Sequence, residues 1–188
     1  RNSYMEKWIK TYPKIFSKEE CAGLIEWFEI LDESKQLVHT KLEGHREFDE
    51  VNLNDFREQS LKVQLDIYKR FDDILEKYKQ DVNVHEKAFP EKSAWEEIRI
   101  KRYRAGRGNF LDHVDVGDYI SARRFLVFFV YLNNVDFGGE TEFPTLDLQV
   151  SPECGTILIF PATWTYLHRG NTPISNDKYI LGSYKHYV

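Results

Sequence analysis

The sequence predicts an α+β fold with a mainly β core braced by N-terminal helices. Before Phe89, apolar residues recur every three or four positions, whereas after it β-branched and aromatic runs alternate with turn residues. The later strands follow one another without intervening helices, which favours an antiparallel sandwich or barrel. The 188 residues suit one domain, with helical support over about 17–81 and a β core over about 96–187.

Two amphipathic helices are predicted in the N-terminal half. The first begins at a capping box formed by Ser17 and Glu20 and spans about 18–32. The second spans about 55–80, and its apolar stripe consists of Leu61, Leu65, Tyr68, Phe71, Leu75 and Tyr78. We expect both helices to pack against the sheet. The charged segment 39–54 between them is predicted to be either a surface loop or a lid over a functional site.

Five strands are predicted in the C-terminal half, at Ile98–Tyr103, Phe125–Leu132, Leu146–Val150, Thr156–Phe160 and Tyr179–Tyr184. Two of them, Phe125–Leu132 and Thr156–Phe160, are almost continuously apolar. This pattern predicts burial on both faces, by the interior of the barrel on one side and by the helices on the other.

Composition limits the classes of function. The net charge of -5 argues against sequence-independent binding of nucleic acid. The longest apolar run, Phe125–Leu132, is much shorter than the roughly 20 residues of a membrane-spanning helix. Cys21 and Cys154 have no C-x-x-C spacing and no secretory pattern precedes them, so reduced thiols and a soluble, cytoplasmic protein are expected, although the sequence leaves a disulfide open.

The most informative motif is His113-x-Asp115 followed by His168. Two imidazoles and one carboxylate form the ligand set of non-haem Fe(II) oxygenases, which leaves positions for a bidentate cosubstrate and dioxygen. Residues two apart project to one side at an extended strand or its end, and His168 must then come from an opposing strand. A second match, His45-x-Glu47, lies in the charged segment and is predicted to be solvated surface.

Lys178 begins an apolar strand shortly after His168. It is either an ordinary solvated lysine at a strand start or the fixed cation that a metal-bound dicarboxylate needs for its far carboxylate.

Further short motifs occur in a fixed order: Tyr103-x-x-Gly106, Phe110-x-x-His113-x-Asp115, Tyr131-Leu132-Asn133, Gly138-Gly139-Glu140-Thr141-x-Phe143-Pro144, Gly155-x-x-Leu158-x-Phe160-Pro161, His168-Arg169-Gly170 and Lys178. Together they resemble the prolyl 4-hydroxylase branch of the Fe(II)/2-oxoglutarate-dependent dioxygenases, over about Ile98 to Tyr187. Two positions depart from relatives. The oxygen-sensing members usually have arginine at Lys178, where collagen-type members have lysine, and many relatives have tyrosine at Phe110.

The resemblance implies a double-stranded β-helix, or jelly roll, in which the catalytic residues His113, Asp115 and His168 bind Fe(II). Lys178 would pair with the distal carboxylate of the cosubstrate 2-oxoglutarate, and Tyr103 and Tyr131 would line its pocket, unless these tyrosines are only barrel core. The implied reaction consumes O2 and hydroxylates proline in a peptide or protein, with succinate and CO2 as coproducts. Ascorbate is a further ligand of such enzymes.

Seven basic residues surround the ligand motif: Arg99, Lys101, Arg102, Arg104, Arg107, Arg123 and Arg124. Some of them, Arg107 and Arg124 above all, are predicted to form a positive rim that binds an acidic substrate or 2-oxoglutarate itself. The alternative is a solvated strand face. Arg124 matches an arginine of the oxygen-sensing relatives. Trp164 is predicted to line the substrate entrance, with core packing as the alternative.

Other functions stay open at this point. They are 2-oxoglutarate-dependent oxidation of another amino acid, peptide or nucleic acid, and a non-catalytic jelly-roll module that only binds metal. Acidity and the lack of an arginine-rich ending after His168 disfavour nucleic acid. The oligomeric state and the selectivity for iron over other metals do not follow from the sequence.

Overall fold

The structure is a computed structural model that describes residues 3–188. Its helices are α1 (Ser3–Glu6), α2 (Lys18–Glu33) and α3 (Arg57–Asp81). Its strands are β1 (Lys10–Tyr12), β2 (Val38–Leu42), β3 (Arg46–Asn52), β4 (Ser93–Trp95), β5 (Arg99–Tyr103), β6 (Asn109–His113), β7 (Arg124–Tyr131), β8 (Thr141–Phe143), β9 (Leu148–Val150), β10 (Ile157–Pro161), β11 (His168–Gly170) and β12 (Lys178–Tyr187). Short 3-10 turns lie at Leu53–Phe56, Glu86–Ala88 and Pro144–Leu146.

The twelve strands found within residues 3–188 form one antiparallel sheet that curls around an interior. The strand order is β1-β10-β7-β12-β5-β3-β6-β11-β8-β9, with β2 added to β3 and β4 added to β12. Four strands precede residue 96, and two of them, β2 and β3, come from the predicted helical support. The predicted class, a mainly β core with a few helices, is confirmed.

Strand β7 shows how the sheet is covered on both sides. Phe128 and Val130 belong to the core cluster beneath the helices, where the rings of Phe128 and Phe71 of α3 lie 5.5 Å apart. Val127 and Tyr131 belong to a second cluster inside the curled sheet. Alternate residues of this strand therefore serve two apolar cores, as the continuous apolar run predicts.

The helices begin as predicted, but the buried face of α3 differs from the predicted stripe. Ser17 and Glu20 form the capping box of α2, with each backbone N–H bound by the side chain of the other residue. In α3 the prediction was wrong at Leu61 and Leu65, which are 39% and 61% exposed. Ser60 and Gln64 are buried instead, because both side chains donate to the carbonyl oxygen of Leu53 at the start of the helix.

The charged segment 39–54 is not a loop but the hairpin of β2 and β3, and β3 lies between β5 and β6. Two of its acidic residues are paired with the neighbouring strand β5 rather than solvated: Asp49 with Arg102, and Glu50 with Lys101. Both predictions for this segment, a lid and a surface loop, were wrong, because β3 is an integral strand of the sheet.

The N-terminal segment is joined to the barrel at Gly155, which has a φ of +79°. A Cβ atom there would lie 2.1 Å from the carbonyl oxygen of Phe16, so only glycine fits. Cys21, buried in α2, and Cys154 are free thiols. No helix in the described part of the chain has the length and apolar character that crossing a bilayer requires.

Candidate metal centre

Two paired strands bring the two histidines of the motif together. His113 ends β6 and His168 begins β11, and the two residues are direct partners in the antiparallel ladder. Asp115 lies two residues beyond His113. One potential ligand atom from each of the three side chains lies within 4.8 Å of the others. We call this group the tripod; within residues 3–188 it is the one cluster of its kind.

Backbone contacts orient both imidazoles. Nδ1 of His113 lies 2.7 Å from the carbonyl oxygen of Leu111, and Nδ1 of His168 lies 3.0 Å from that of Tyr166. A carbonyl oxygen only accepts, so each Nδ1 carries the proton and donates it. Each Nε2 is therefore left with a free lone pair, as metal ligation requires.

The carboxylate of Asp115 has one satisfied and one unsatisfied oxygen. Its Oδ1 accepts a hydrogen bond of 2.8 Å from the hydroxyl of Tyr184. Its Oδ2 is buried, has no hydrogen-bond partner among the described residues, and lies 3.3 Å from Nε2 of His168. Two lone pairs that face each other at this distance repel unless a cation lies between them. The donor set therefore fits a divalent metal ion.

Aromatic rings surround the tripod. Phe110 stacks on His113 with ring centroids 3.5 Å apart and an angle of 9° between the planes. Phe160 and Phe143 lie at 4.8 and 5.8 Å from the ring of His168. Burial lowers the pKa of His113 to about 4, with a smaller effect of the neighbouring His168. At neutral pH the imidazole of His113 is therefore in the uncharged form that binds metals.

The tripod faces a cavity of about 60 Å³. Its lining residues come from six strands and the segment after β6: Lys101, Tyr103, Phe110, His113, Asp115, Val127, Phe129, Thr141, His168, Arg169, Gly170, Lys178, Ile180 and Tyr184. The cavity thus contains both the tripod and Lys178.

Lys178 is not a solvated lysine, because it is only 3% exposed. Its Nζ lies 5.3 and 5.6 Å from the ring centroids of Tyr103 and Tyr131, and no carboxylate of a described residue lies within 4.0 Å. Burial lowers the pKa of Lys178 to about 7, and Glu140 offsets only part of this effect. The cavity therefore holds a cation that lacks an anionic partner.

The two predicted pocket tyrosines are both buried beside Lys178. The hydroxyl of Tyr131 forms a 2.7 Å hydrogen bond with Oγ1 of Thr141, whereas Tyr103 packs against the ring of Phe48. Burial raises the pKa of both phenols above the usual value, so they stay protonated. Neutral phenols beside an ammonium group can donate hydrogen bonds to a carboxylate.

The three predicted substrate contacts lie in different settings. Arg124 donates two hydrogen bonds to Glu96, lies 4.0 Å from the ring of Tyr184 and contacts the backbone oxygen of Asp115. Arg107 has a side chain 55% exposed and pairs with Glu47 at 3.3 Å. Trp164 is 78% exposed on the segment that leads to His168, so core packing is wrong for it. None of the three lines the cavity of the tripod.

The basic cluster is divided between the two faces of β5. Lys101 lines the cavity, whereas Arg102 points to the opposite face and binds Glu29, Asp32 and Asp49. Arg102 is 2% exposed and takes no part in a rim. Because successive side chains of a strand point to opposite faces, one run of basic residues serves two sites.

Sequence reasoning missed Tyr184; it named Thr141 only within a motif and Lys101 only among the basic residues of the rim. The alternation of β12 carries a signal for Tyr184, because it lies an even number of residues after Lys178 and hence on the same face. The same alternation links Lys101 to Tyr103 on β5. His45, the second match, lies in the turn of the hairpin and belongs to no ligand cluster of the described residues.

Comparisons with known proteins agree with this geometry. Residues 98–186 match the family model described as the 2OG-Fe(II) oxygenase superfamily. No curated protein sequence matches the chain. The region matched by the family model includes the tripod and Lys178.

Several solved structures are similar over nearly the whole chain. A viral collagen prolyl hydroxylase from Paramecium Bursaria Chlorella virus-1, in a 2OG complex, has a TM-score of 0.74 at 22% identity, covering 96% of this chain and 97% of that one. A prolyl hydroxylase from Trichoplax adhaerens, in complex with a hypoxia inducible factor peptide fragment, has a TM-score of 0.72 at 12% identity, covering 98% and 86%. A Pseudomonas putida prolyl-4-hydroxylase has a TM-score of 0.65 at 15% identity, covering 96% and 93%.

At these identities the solved structures bear on the fold, and they confirm the predicted jelly roll braced by N-terminal helices. The resemblance stated from the sequence is confirmed as well: residues 98–186 match the 2OG-Fe(II) oxygenase superfamily, on a fold similar to that of the prolyl 4-hydroxylases.

Proposed function

We propose that this chain is an Fe(II)- and 2-oxoglutarate-dependent dioxygenase that hydroxylates proline in a peptide or protein, with succinate and CO2 as coproducts. One observation carries the proposal most strongly. A single cavity contains three uncompensated metal ligands and a buried, unpaired ammonium group. A non-catalytic module that only binds metal would not need the buried ammonium group.

In this proposal the tripod holds the metal through Nε2 of His113, Nε2 of His168 and Oδ2 of Asp115. Tyr184 holds Oδ1 of Asp115 and so leaves Oδ2 for the metal. Bound Fe(II) would supply the activation of dioxygen and the cleavage of 2-oxoglutarate. The residues of the chain supply placement, charge and shielding from water.

Lys178 is proposed to bind the distal carboxylate of 2-oxoglutarate. Its ammonium group would gain the anionic partner that it lacks, and Tyr103 would add a phenol beside it. The apolar side chains of Val127, Phe129 and Ile180 cover the remaining wall and keep water away from the reacting atoms.

Proline is the proposed substrate residue because the similar structures are prolyl hydroxylases, one of them in complex with a peptide fragment. Arg124 and Trp164 are proposed to act outside the cavity. Arg124 supports the segment of Asp115, and the exposed Trp164 offers an aromatic contact to a peptide near His168. Arg107 and ascorbate binding stay predictions, as does the cytoplasmic location.

Anaerobic addition of Fe(II) and 2-oxoglutarate separates the enzyme from a module that only binds metal. We expect a weak metal-to-ligand charge-transfer absorption band, and its loss in His168→Ala. A band of unchanged strength in that variant would contradict the assignment of the tripod.

The substrate is tested separately, by incubating a peptide array with the complete system and reading hydroxylation by mass spectrometry. Hydroxylation confined to proline supports the proposal. Products on other residues would place the chain among oxygenases with a different peptide substrate, and hydroxylation of no peptide would overturn the peptide proposal altogether.

A further inference from the structure

Lys101 is a second lysine in the cavity of the tripod, and the proposed function does not use it. It lies on β5 two residues before Tyr103, and its partners in the sheet are Glu50 on β3 and Ile180 on β12. Lys101 and Lys178 line the same cavity. Two ammonium groups therefore face one interior.

The ion pair of Lys101 is a loose one. Among the described residues, the one carboxylate within 4.0 Å is Glu50, and the Nζ–Oε2 distance of 3.6 Å is longer than a charge-assisted hydrogen bond. The other neighbours of Nζ are the faces of Phe48 and Phe110, at 4.6 and 5.9 Å from the ring centroids. An ammonium group in such a place is costly, so a purely structural role is a poor explanation.

Arg99 extends the same face of β5 by two more residues. Its Nε lies 3.8 Å from Glu50, and its Nη2 lies 3.4 Å from Glu97. A cavity of about 50 Å³ beside Arg99 adjoins the cavity of the tripod and shares five lining residues with it. The shared residues are Lys101, Val127, Phe129, Ile180 and Tyr184. The two cavities are therefore neighbours, with Lys101 in the lining of both and Arg99 in the lining of the second.

One small ligand cannot use both ends of this space. Lys178 pairs with Tyr103 on β5, and Gly182 pairs with Arg99. Four residues of strand separate these two pairs, or ~13 Å along the sheet. A five-carbon dicarboxylate that reaches from Lys178 to the tripod does not extend to Arg99. Arg99 therefore faces a different molecule, and Lys101 lies between that molecule and the cosubstrate.

We infer that Lys101 and Arg99 form an anion subsite that binds a carboxylate of the primary substrate, close to the atom that is hydroxylated. The inference rests on the proposed function for its cosubstrate, but not on proline as the oxidised residue. Two sources offer this chemistry: an acidic side chain within a peptide, and the terminal carboxylate of a peptide or a free amino acid.

The test compares proline-centred peptides that carry Glu, Gln or Lys beside the proline, each with a free or an amidated C terminus. The wild-type protein should hydroxylate the acidic form faster than its neutral counterpart, by a ratio on the order of tenfold. A ratio between the Glu and Gln peptides identifies a side chain as the source of the carboxylate. A ratio between the free and amidated peptides identifies the C terminus.

Four variants locate the effect. Lys101→Met should bring the ratio to about one, Lys101→Glu should favour the lysine peptides, and Lys101→Arg should restore the acidic preference. Lys69→Glu, which makes the same charge change at a side chain 76% exposed on α3, should keep the wild-type ratio. Thermal melting of each variant checks that it is folded.

A wild-type ratio near one, or an unchanged ratio in Lys101→Met, would overturn the inference. So would weaker equilibrium binding of 2-oxoglutarate in Lys101→Met together with an unchanged ratio, because Lys101 would then belong to the cosubstrate site.

If the wild-type protein hydroxylates none of these peptides, the proline proposal fails while the anion subsite is still tested by binding. N-acetylglutamate and its uncharged diamide, N-acetylglutamine amide, are titrated into protein loaded with Mn(II) and the unreactive analogue N-oxalylglycine. Saturable binding of the acid alone, lost in Lys101→Met, supports the subsite. Equal binding of both compounds, or binding of neither, overturns it.

Discussion

Two buried cations lie next to each other in the register of the sheet and have opposite surroundings. Arg102 on β5 pairs with Tyr179, and Lys178 precedes Tyr179 on β12. Arg102 is 2% exposed and binds Glu29, Asp32 and Asp49 at 2.6 to 2.8 Å. Lys178 is 3% exposed, its Nζ faces the rings of Tyr103 and Tyr131, and Glu140 is the one described carboxylate that offsets its burial.

The pKa values of the two groups follow this difference. Burial lowers the pKa of Arg102, but the hydrogen bonds to its three carboxylates outweigh burial and hold the pKa above the usual range. Burial dominates at Lys178 and lowers its pKa to about 7. Arg102 joins α2 to the sheet, and carboxylates of the chain itself neutralise its charge. Lys178 faces the cavity, and its counter-charge is left for a ligand to supply.

The largest effect is expected from Arg102→Met. Removal of the guanidinium takes the buried partner away from the carboxylate of Asp49 and leaves it only the more exposed His39 and Arg104, so the free energy of unfolding should fall by about 3 kcal/mol. Urea denaturation measures it. Lys69→Met, which breaks an exposed pair with Asp73, should cost less than about 1 kcal/mol. Equal losses in the two variants would show that the Arg102 network contributes no more than a surface pair.

Lys178→Met should give the reverse pattern. The methionine replaces an unpaired buried amine with an apolar chain, so the free energy of unfolding should not fall, whereas the affinity for 2-oxoglutarate should fall on the order of 100-fold. Calorimetry of the Mn(II)-loaded protein measures this affinity, with Lys69→Met as the control. A variant that unfolds as readily as Arg102→Met, or that binds 2-oxoglutarate normally, would remove the contrast between the two cations.

The pH dependence of binding sharpens the same contrast. With a pKa of about 7, Lys178 is an ammonium group below pH 7 and a neutral amine above it. A carboxylate binds the ammonium form, so the dissociation constant of 2-oxoglutarate should rise by about tenfold per pH unit above pH 7. Binding at pH 8 should also take up a proton, which calorimetry in buffers of different ionisation enthalpy detects. Constant affinity between pH 7 and pH 9 would contradict the prediction, and Lys178→Met should show no such slope.

The smallest effect is expected when the hydrogen bond from Tyr184 to the carboxylate of Asp115 is removed. Tyr184→Phe removes the hydrogen bond to Oδ1 of Asp115 and keeps the ring against Arg124, so the affinity for Co(II) or Mn(II) should fall by about tenfold. Metal titration followed by calorimetry measures it. Tyr187→Phe, near the end of the same strand and 47% exposed, should bind metal as the wild-type protein does. Equal affinities in the two variants would deny Tyr184 a role in orienting Asp115.

Part of the site was predictable because ligand chemistry and strand alternation are local properties. The spacing of His113 and Asp115 required an extended backbone, and that requirement demanded an opposing strand for His168, which β11 provides. Alternation within β12 also carries enough information to place Tyr184 on the same face of the strand as Lys178, although composition alone did not draw attention to it.

Other features depend on partners that are distant in the sequence. The charges of β3 looked like a solvated loop because their counter-charges, Arg102 for Asp49 and Lys101 for Glu50, lie about 50 residues away. Leu61 and Leu65 looked like core because periodicity does not report that Ser60 and Gln64 are needed to satisfy the carbonyl of Leu53. Trp164 lies in a loop, where no hydrophobic periodicity exists from which its exposure could be predicted.

The direct pairing of His113 with His168 has a consequence for local motion. Strand β11 has only three residues, and one of them is a ligand. An ion on the tripod would clamp this short strand to β6, so opening of the β6–β11 ladder would require release of the ion. Slowed amide hydrogen exchange in β11 would then report occupancy, and the stiffness of this side of the barrel would vary with the availability of the metal.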